Sequence, residues 1–184
     1  LAGTVATTER LLGALGDDWS GRFVHASSFA VYDYRRLRPG DRLDESSPLY
    51  DPVFEAGPYS QTKILQERLV DEFGRRSRAS TVVLRIAGVY GHGGVWNQGM
   101  AVRLGDAAGI MFAPRSTMKL VHLDNVVSAI VAAVEVATPA TPATPATPAT
   151  PATLGASPLN IVDDDLPTFA GFARRLRAAG CTVP

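Results

Sequence analysis

The chain has 184 residues, 46% of them hydrophobic and 20% charged, enough apolar material for a globular domain with a real core and too much for a disordered or fibrous main body. Its 18 basic and 18 acidic residues cancel, so no charge excess draws in a nucleic-acid backbone or an anionic membrane surface. Cys181 has no second cysteine to pair with, and His25, His92 and His122 are too scattered for a zinc-ligand spacing, so neither a disulfide framework nor a metal site is expected.

Leu1 to Leu15 is predicted helical, with Val5, Leu11, Leu12 and Leu15 on one face and Gly16-Asp17-Asp18 as its stop. Glu9 and Arg10 inside this pattern, with no basic start before an apolar run, do not read as a signal peptide. Arg22 to Ser27 is predicted as a short strand, and Ser28 to Pro58, rich in turn formers and charge, as a functional loop or lid. Helical periodicity returns from Tyr59 to Phe73 through Ile64, Leu65, Leu69 and Val70, with Gly74 expected to close it. The β-branched run Thr81 to Ile86 suits a buried parallel strand.

Lys119 to Leu123 is a further strand candidate, with Asp124 placed to cap a helix from Asn125 to Ala137. The apolar stretch Val126 to Ala137 contains Ser128 and Glu135 and is too short to cross a membrane, so a cytoplasmic protein is expected. From Ala137 to Thr153 the chain repeats Ala-Thr-Pro five times and adds Ala-Thr; proline at every third position forbids helix and sheet and favours an extended polyproline spacer in a tolerant surface loop. Leu159 to Val162 is a strand candidate. Thr168 to Ala179 is an amphipathic helix with Phe169, Phe172 and Leu176 inward, Arg174, Arg175 and Arg177 outward, and Gly180 as its C-terminal cap. Helix and strand signals alternate, which indicates an α/β class with a parallel sheet.

The string Pro58-Tyr59-Ser60-Gln61-Thr62-Lys63 carries the chemistry. On a helix, Tyr59 and Lys63 sit one turn apart on one face, so the ammonium reaches the neighbourhood of the phenol. A free tyrosine titrates near pH ~10. A neighbouring positive charge favours the phenolate and moves it toward the range useful for acid/base work on a carbonyl or alcohol. Only two of the 18 basic residues are lysines, and one of them falls here. Upstream, Arg22 to Tyr32 reads as a strand ending in paired hydroxyls, placing Ser27 or Ser28 at the carboxyl edge of a parallel sheet, where open α/β folds bind ligands.

Several blocks then fall in a fixed order: Val24-His-Ala-Ser-Ser-Phe-Ala-Val-Tyr32, Asp44-Glu45 with Pro48, Pro58-Tyr-Ser-Gln-Thr-Lys63, Val83-Leu-Arg-Ile-Ala-Gly-Val-Tyr-Gly91, Val121-His-Leu-Asp-Asn125 and Leu159-Asn-Ile-Val-Asp163. Together they resemble the extended short-chain dehydrogenase/reductase family, the NAD-dependent epimerase/dehydratase group. The resemblance implies a doubly wound, Rossmann-like parallel sheet and NAD or NADP as cofactor. It implies Tyr59 as catalytic acid/base, Lys63 as the residue that activates it and holds the nicotinamide ribose, and Ser28, rather than Ser27, as the hydroxyl orienting the substrate. Ser27 and Ile86, Ala87, Gly88 and Val89, at the ends of their strands, are expected beside the cofactor. A homodimer is implied through the tyrosine helix and the helix before the serine strand.

Departures from the pattern narrow the expectation. The aspartate and glutamate that follow the catalytic hydroxyl in nucleotide-sugar dehydratases are Phe29 and Ala30 here, which argues against elimination of water. Gly88 stands where sugar epimerases often carry asparagine, and Asp33 replaces the glycine usual after the Val-Tyr pair. Gly88-Val-Tyr-Gly91-His-Gly93-Gly94 has the form Gly-x-x-Gly-x-x-Gly, yet it follows the tyrosine instead of opening the domain and leads into no helix start, so it is not read as a phosphate loop. No other segment offers one, and on the family pattern the first strands and their glycine-rich turn would lie upstream of Leu1.

The expected organisation is residues 1–136 as the later part of the nucleotide-binding fold, 137–156 as the repeat linker, and 157–184 as a strand and helix of the substrate side. The expected function is hydride transfer to or from a carbonyl or secondary alcohol of a small molecule. Sugar epimerisation is the first alternative, and a noncatalytic fragment or pseudoenzyme the second.

Overall fold

The computed structural model describes residues 2–38, 40–91, 102–104, 108–110, 114–135 and 158–180, so the Ala-Thr-Pro repeat, His92 and Cys181 lie outside the described residues. The elements in chain order are α1 (Ala2–Leu15), β1 (Arg22–Ser28), α2 (Pro58–Arg76), β2 (Ser80–Ile86), β3 (Gly88–Tyr90), β4 (Val102–Leu104), β5 (Ala108–Ile110), β6 (Leu120–His122), α3 (Leu123–Glu135), β7 (Pro158–Ile161) and α4 (Phe169–Ala178). The long loop between β1 and α2 holds three 3₁₀ turns, at Phe29–Val31, Tyr34–Arg36 and Val53–Glu55. By their contacts the residues group into two compact units, Leu1–Ile86 with Ala129–Asn160, and Ala87–Ser128 with Ile161–Pro184.

In the first unit β1 and β2 run parallel in register from Arg22 opposite Ser80 to Ser28 opposite Ile86, in a sheet of order β1-β2-β7. A parallel pair needs a crossover, and α2 supplies it, packing back on both strands and on α1. The core between them is Leu12, Val70, Phe73, Ala79 and Val83, joined by Leu15, Trp19, Phe23 and Leu69. Phe73 anchors it, with the Phe23 ring edge-on at 6.4 Å and the Trp19 ring at 6.2 Å. On α1, Leu12 faces this core, whereas Leu11, expected on the same face, is 50% exposed. One position of helix rotates a side chain by ~100°, enough to take Leu11 off the buried stripe. Gly16 ends α1 at φ 74°, a left-handed conformation in which a side chain would be strained.

Gly74 does not close α2; the helix continues to Arg76. The glycine is there because a Cβ at this point would lie 2.5 Å from Thr81 Oγ1 and 3.1 Å from its Cγ2, so its absence lets α2 approach β2 closely. Gly74→Ala is therefore expected to destabilise the chain by about 1–3 kcal/mol through overpacking. In a Thr81→Ala background the same change gains helix propensity, about 1 kcal/mol, without the collision. Urea midpoints of the four variants in this cycle check both signs.

In the second unit β3 pairs with β6 in parallel and β4 with β5 in antiparallel. Met118, Leu120, Phe172 and Leu176 form its core, with Tyr90 and Phe169 packed against it. The α4 prediction matches its facing: Phe172 and Leu176 are buried, Thr168 caps the helix by accepting from the Gly171 amide at 3.0 Å, and Gly180 follows at φ 77°. Asp124 is not the cap of α3. That helix already begins at Leu123, which puts Asp124 in its first turn, where a carboxylate still favours the positive end of the dipole. Among the described residues no helix is long and apolar enough to cross a membrane.

Candidate active site

The carboxyl end of β1 and the first turns of α2 form the site, both in the first unit. Pro58 at the start of α2 has no amide to leave unsatisfied, and its fixed φ suits the first helical position. Tyr59 follows directly, 59% exposed. Lys63 lies one turn further on, and its Nζ sits 5.9 Å from the centre of the Tyr59 ring. The lysine is steadied by donating to the Ala26 carbonyl at 2.8 Å, which ties it to the end of β1 and leaves further protons of the ammonium to offer. Among the described residues the Tyr59 hydroxyl has no hydrogen-bond partner.

Ser28 is the last residue of β1, opposite Ile86 at the end of β2. Its Oγ accepts from the Ala30 amide at 3.2 Å and so starts the Phe29–Val31 turn, which packs against α2. The serine expected to orient a substrate therefore has its oxygen fixed by the backbone while its proton remains available. Ser27 points the other way, as alternation along a strand requires. It is 4% exposed, and its hydroxyl donates to Glu67 Oε1, so the part of Ser27 left to meet a cofactor is its backbone. Ala87, Gly88 and Val89 belong to the second unit: Ala87 is buried, Gly88 donates to the Lys119 carbonyl at 3.0 Å, and Val89 is 44% exposed on β3. Gly88 to Tyr90 being a strand paired with β6, the glycine string does not start a phosphate-binding turn there.

Beneath the site lies a polar cluster that the sequence did not single out. Glu67 accepts from Ser27 and from Arg85 Nε and Nη2, the last at 2.8 Å. Arg85 also donates to the Tyr32 hydroxyl at 3.1 Å and the Glu45 carbonyl at 3.2 Å, and Tyr32 donates to Asn160 Oδ1 at 2.7 Å. Burial opposes the Arg85 charge, but the hydrogen bonds to Glu67 and Tyr32 outweigh it and hold its pKa above the ordinary value. The available signal was periodicity: Glu67 is on the Tyr59 and Lys63 stripe of α2, one turn beyond the lysine. Asp33, the departure from the family's glycine, caps the Tyr34–Arg36 turn and forms a two-pronged pair with Arg35 at 2.8 and 2.9 Å. That pair holds its carboxyl below the usual range, and Arg35 also meets Glu55 at 2.8 Å, so the loop is braced where a glycine would have left it free.

His25 lies in β1, two residues before Ser27 on the same buried side. Burial, then the positive charge of Lys63, lower its pKa from 6.5 to about 4, against a smaller opposing effect of Glu67. The unfolded chain thus takes up this proton at a higher pH than the folded one, and stability falls as pH drops below 6.5 until the folded imidazole also protonates. Between about pH 7.5 and about pH 5 the expected loss is about 2 kcal/mol. Urea unfolding at both values should show it, and His25→Leu should flatten the difference. A wild-type stability equal at both would refute the buried neutral imidazole.

The residues 2–142 match the NAD dependent epimerase/dehydratase family. The chain belongs to this family. Its fold agrees with solved structures of family type. MoeE5 in complex with UDP-glucose and NAD is 24% identical, with a TM-score of 0.67 over 96% of this chain and 54% of that one. A short-chain dehydrogenase/reductase superfamily protein from Agrobacterium tumefaciens with bound NAD is 20% identical, with a TM-score of 0.68 over 97% of this chain and 58% of that one. The UDP-glucuronic acid 4-epimerase of Bacillus cereus, in complex with UDP-glucuronic acid and NAD, is 17% identical, with a TM-score of 0.62 over 98% and 52%. The chain thus spans little more than half the length of these family structures. A comparison with curated protein sequences returns no match. For this epimerase/dehydratase family chain, the α/β, Rossmann-like reading of the sequence agrees with both the observed fold and its structural neighbours.

Proposed function

We propose that the chain carries the catalytic part of an NAD(P)-dependent enzyme that moves a hydride to or from a secondary alcohol or carbonyl carbon of a small molecule. The observations that support this best are the Tyr59-Lys63 pair in the first turns of α2, tied by Lys63 to β1, and Ser28 at the end of that strand. Tyr59 offers a free phenol, Lys63 stands 5.9 Å from its ring and is anchored on Ala26, and Ser28 is held by the Ala30 amide with its proton unspent.

The residues present fit the nicotinamide half of the cofactor. The ammonium of Lys63 keeps donors for a ribose hydroxyl, and the exposed side of Tyr59 leaves room beside it. When bound, the nicotinamide supplies the hydride acceptor or donor. Tyr59 removes the proton from the alcohol oxygen as the carbon is oxidised and returns it on reduction. Ser28 donates to the same oxygen and fixes its distance from the phenol. Lys63 holds the ribose and stabilises negative charge on Tyr59.

The neighbouring structures that hold UDP-sugars favour a nucleotide-linked sugar as the small molecule, and Phe29 and Ala30 after Ser28 favour oxidation or epimerisation over loss of water. Saturation-transfer NMR with NAD tests the cofactor assignment. Saturation should reach the nicotinamide and its ribose from wild-type protein and fall sharply with Lys63→Ala. Equal transfer from both proteins would reject the assignment of Lys63.

A further inference from the structure

We infer that Ser27 is a positioning residue, which through Glu67 sets where Ser28 stands relative to the helix bearing Tyr59 and Lys63. The inference rests on the hydride-transfer reading for its catalytic consequence, but the tie itself is structural and separately measurable.

Glu67 is more than nine-tenths buried, and Arg85, itself 5% exposed, grips both of its carboxylate oxygens. Arg85 is fixed in turn by Tyr32 and the Glu45 carbonyl, so the carboxylate has little freedom. The Ser27 hydroxyl bonds to this fixed group. One residue earlier, the Ala26 carbonyl accepts from Lys63 at 2.8 Å. Helix α2 therefore holds β1 at two successive residues, and Ser28 is the next.

The two ties differ in stiffness. Lys63 is a long, partly exposed side chain on a flexible stem, whereas Ser27 has a single side-chain torsion and a buried, immobile acceptor. Apolar packing at Ser27 would fill the space without fixing the strand end along the helix, because only the hydrogen bond is directional. A misplacement of about 1 Å between reacting groups is enough to cost catalysis heavily. Ser27 is thus tuned to hold its neighbour's hydroxyl at a set distance from the phenol, and its own hydroxyl never meets the substrate.

The test compares Ser27→Ala and Ser27→Thr with wild type. Amide hydrogen exchange reports the tie without any activity. In Ser27→Ala the Ala30 amide, bonded to Ser28 Oγ, should exchange about tenfold faster, the amides of Val24 and Leu84 in mid-strand should be unchanged, and Ser27→Thr should restore the wild-type rate. Unchanged Ala30 exchange in Ser27→Ala overturns the inference, and so does a rise shared equally by the mid-strand amides, which would mean general loosening. If the methyl of threonine does not fit, Ser27→Ala alone decides by the same comparison. With NAD and UDP-glucuronic acid, Ser27→Ala should lower kcat about tenfold with KM nearly unchanged. A kcat equal to wild type contradicts the positioning role. A wild type that turns over nothing counts against the hydride-transfer reading, while the exchange data still decide the tie.

Discussion

Replacing Tyr59 by phenylalanine is expected to lower turnover by roughly 10²–10⁴-fold, the usual worth of a positioned acid/base, with little effect on folding. The small folding effect follows from the geometry, since the ring is 59% exposed and its hydroxyl bonds to none of the described residues. On the proposed function turnover would depend on that oxygen, because it belongs to the phenol carried one turn from a lysine anchored on the Ala26 carbonyl. Tyr90, in the second unit, is unsuited to the task. Burial and then its 3.0 Å hydrogen bond to Asp163 raise its pKa, so it stays a neutral donor. Lys63→Ala should reduce turnover comparably and also weaken cofactor binding, whereas Tyr59→Phe should leave cofactor binding nearly intact. Steady-state kinetics with a nicotinamide titration separates the two.

Breaking the pair beneath the site is expected to have the largest effect on stability. Arg85→Ala leaves the Glu67 carboxylate buried with only the Ser27 hydroxyl, and it also removes a donor from Tyr32 and from the Glu45 carbonyl. An uncompensated buried charge of this kind costs about 3–5 kcal/mol. The double variant Glu67→Gln with Arg85→Met removes both charges, retains an acceptor for Ser27, and should recover a large part of that loss. Urea midpoints at constant slope measure both. A single-variant cost below about 1 kcal/mol, in the range of an exposed surface pair, would show that the guanidinium is not the clamp described.

The parts of this molecule legible in the sequence are those set by local pattern. The β-branched run located β2 and helical periodicity located α2 and α4 to within a few residues, and the Tyr59-Lys63 spacing marked one face of α2. What was not legible depends on partners distant in sequence. Gly74 looks like a helix stop until Thr81 is placed opposite it, when it becomes the close contact between α2 and β2. Glu67 looks like an ordinary helix-surface acid until β1 and β2 bring Ser27 and Arg85 to it from positions 40 and 18 residues away. The family resemblance singles out Ser28 over Ser27, but that the Ser27 hydroxyl turns into the core and meets Glu67 shows only once β1 is packed against α2. Asp33 could be recognised as a departure, but its pairing with Arg35 and Glu55 needed the turn to form.

In the proposed function Tyr59 takes the alcohol proton while the carbon beside it gives up its hydride to a nicotinamide. A single-turnover measurement tests it most directly: the protein is mixed with NAD and UDP-glucuronic acid carrying deuterium at C4, quenched, and the nicotinamide examined by mass spectrometry. Deuterium is expected on the nicotinamide with wild-type protein and almost none with Tyr59→Phe. Equal deuterium transfer by the Tyr59→Phe variant would contradict it.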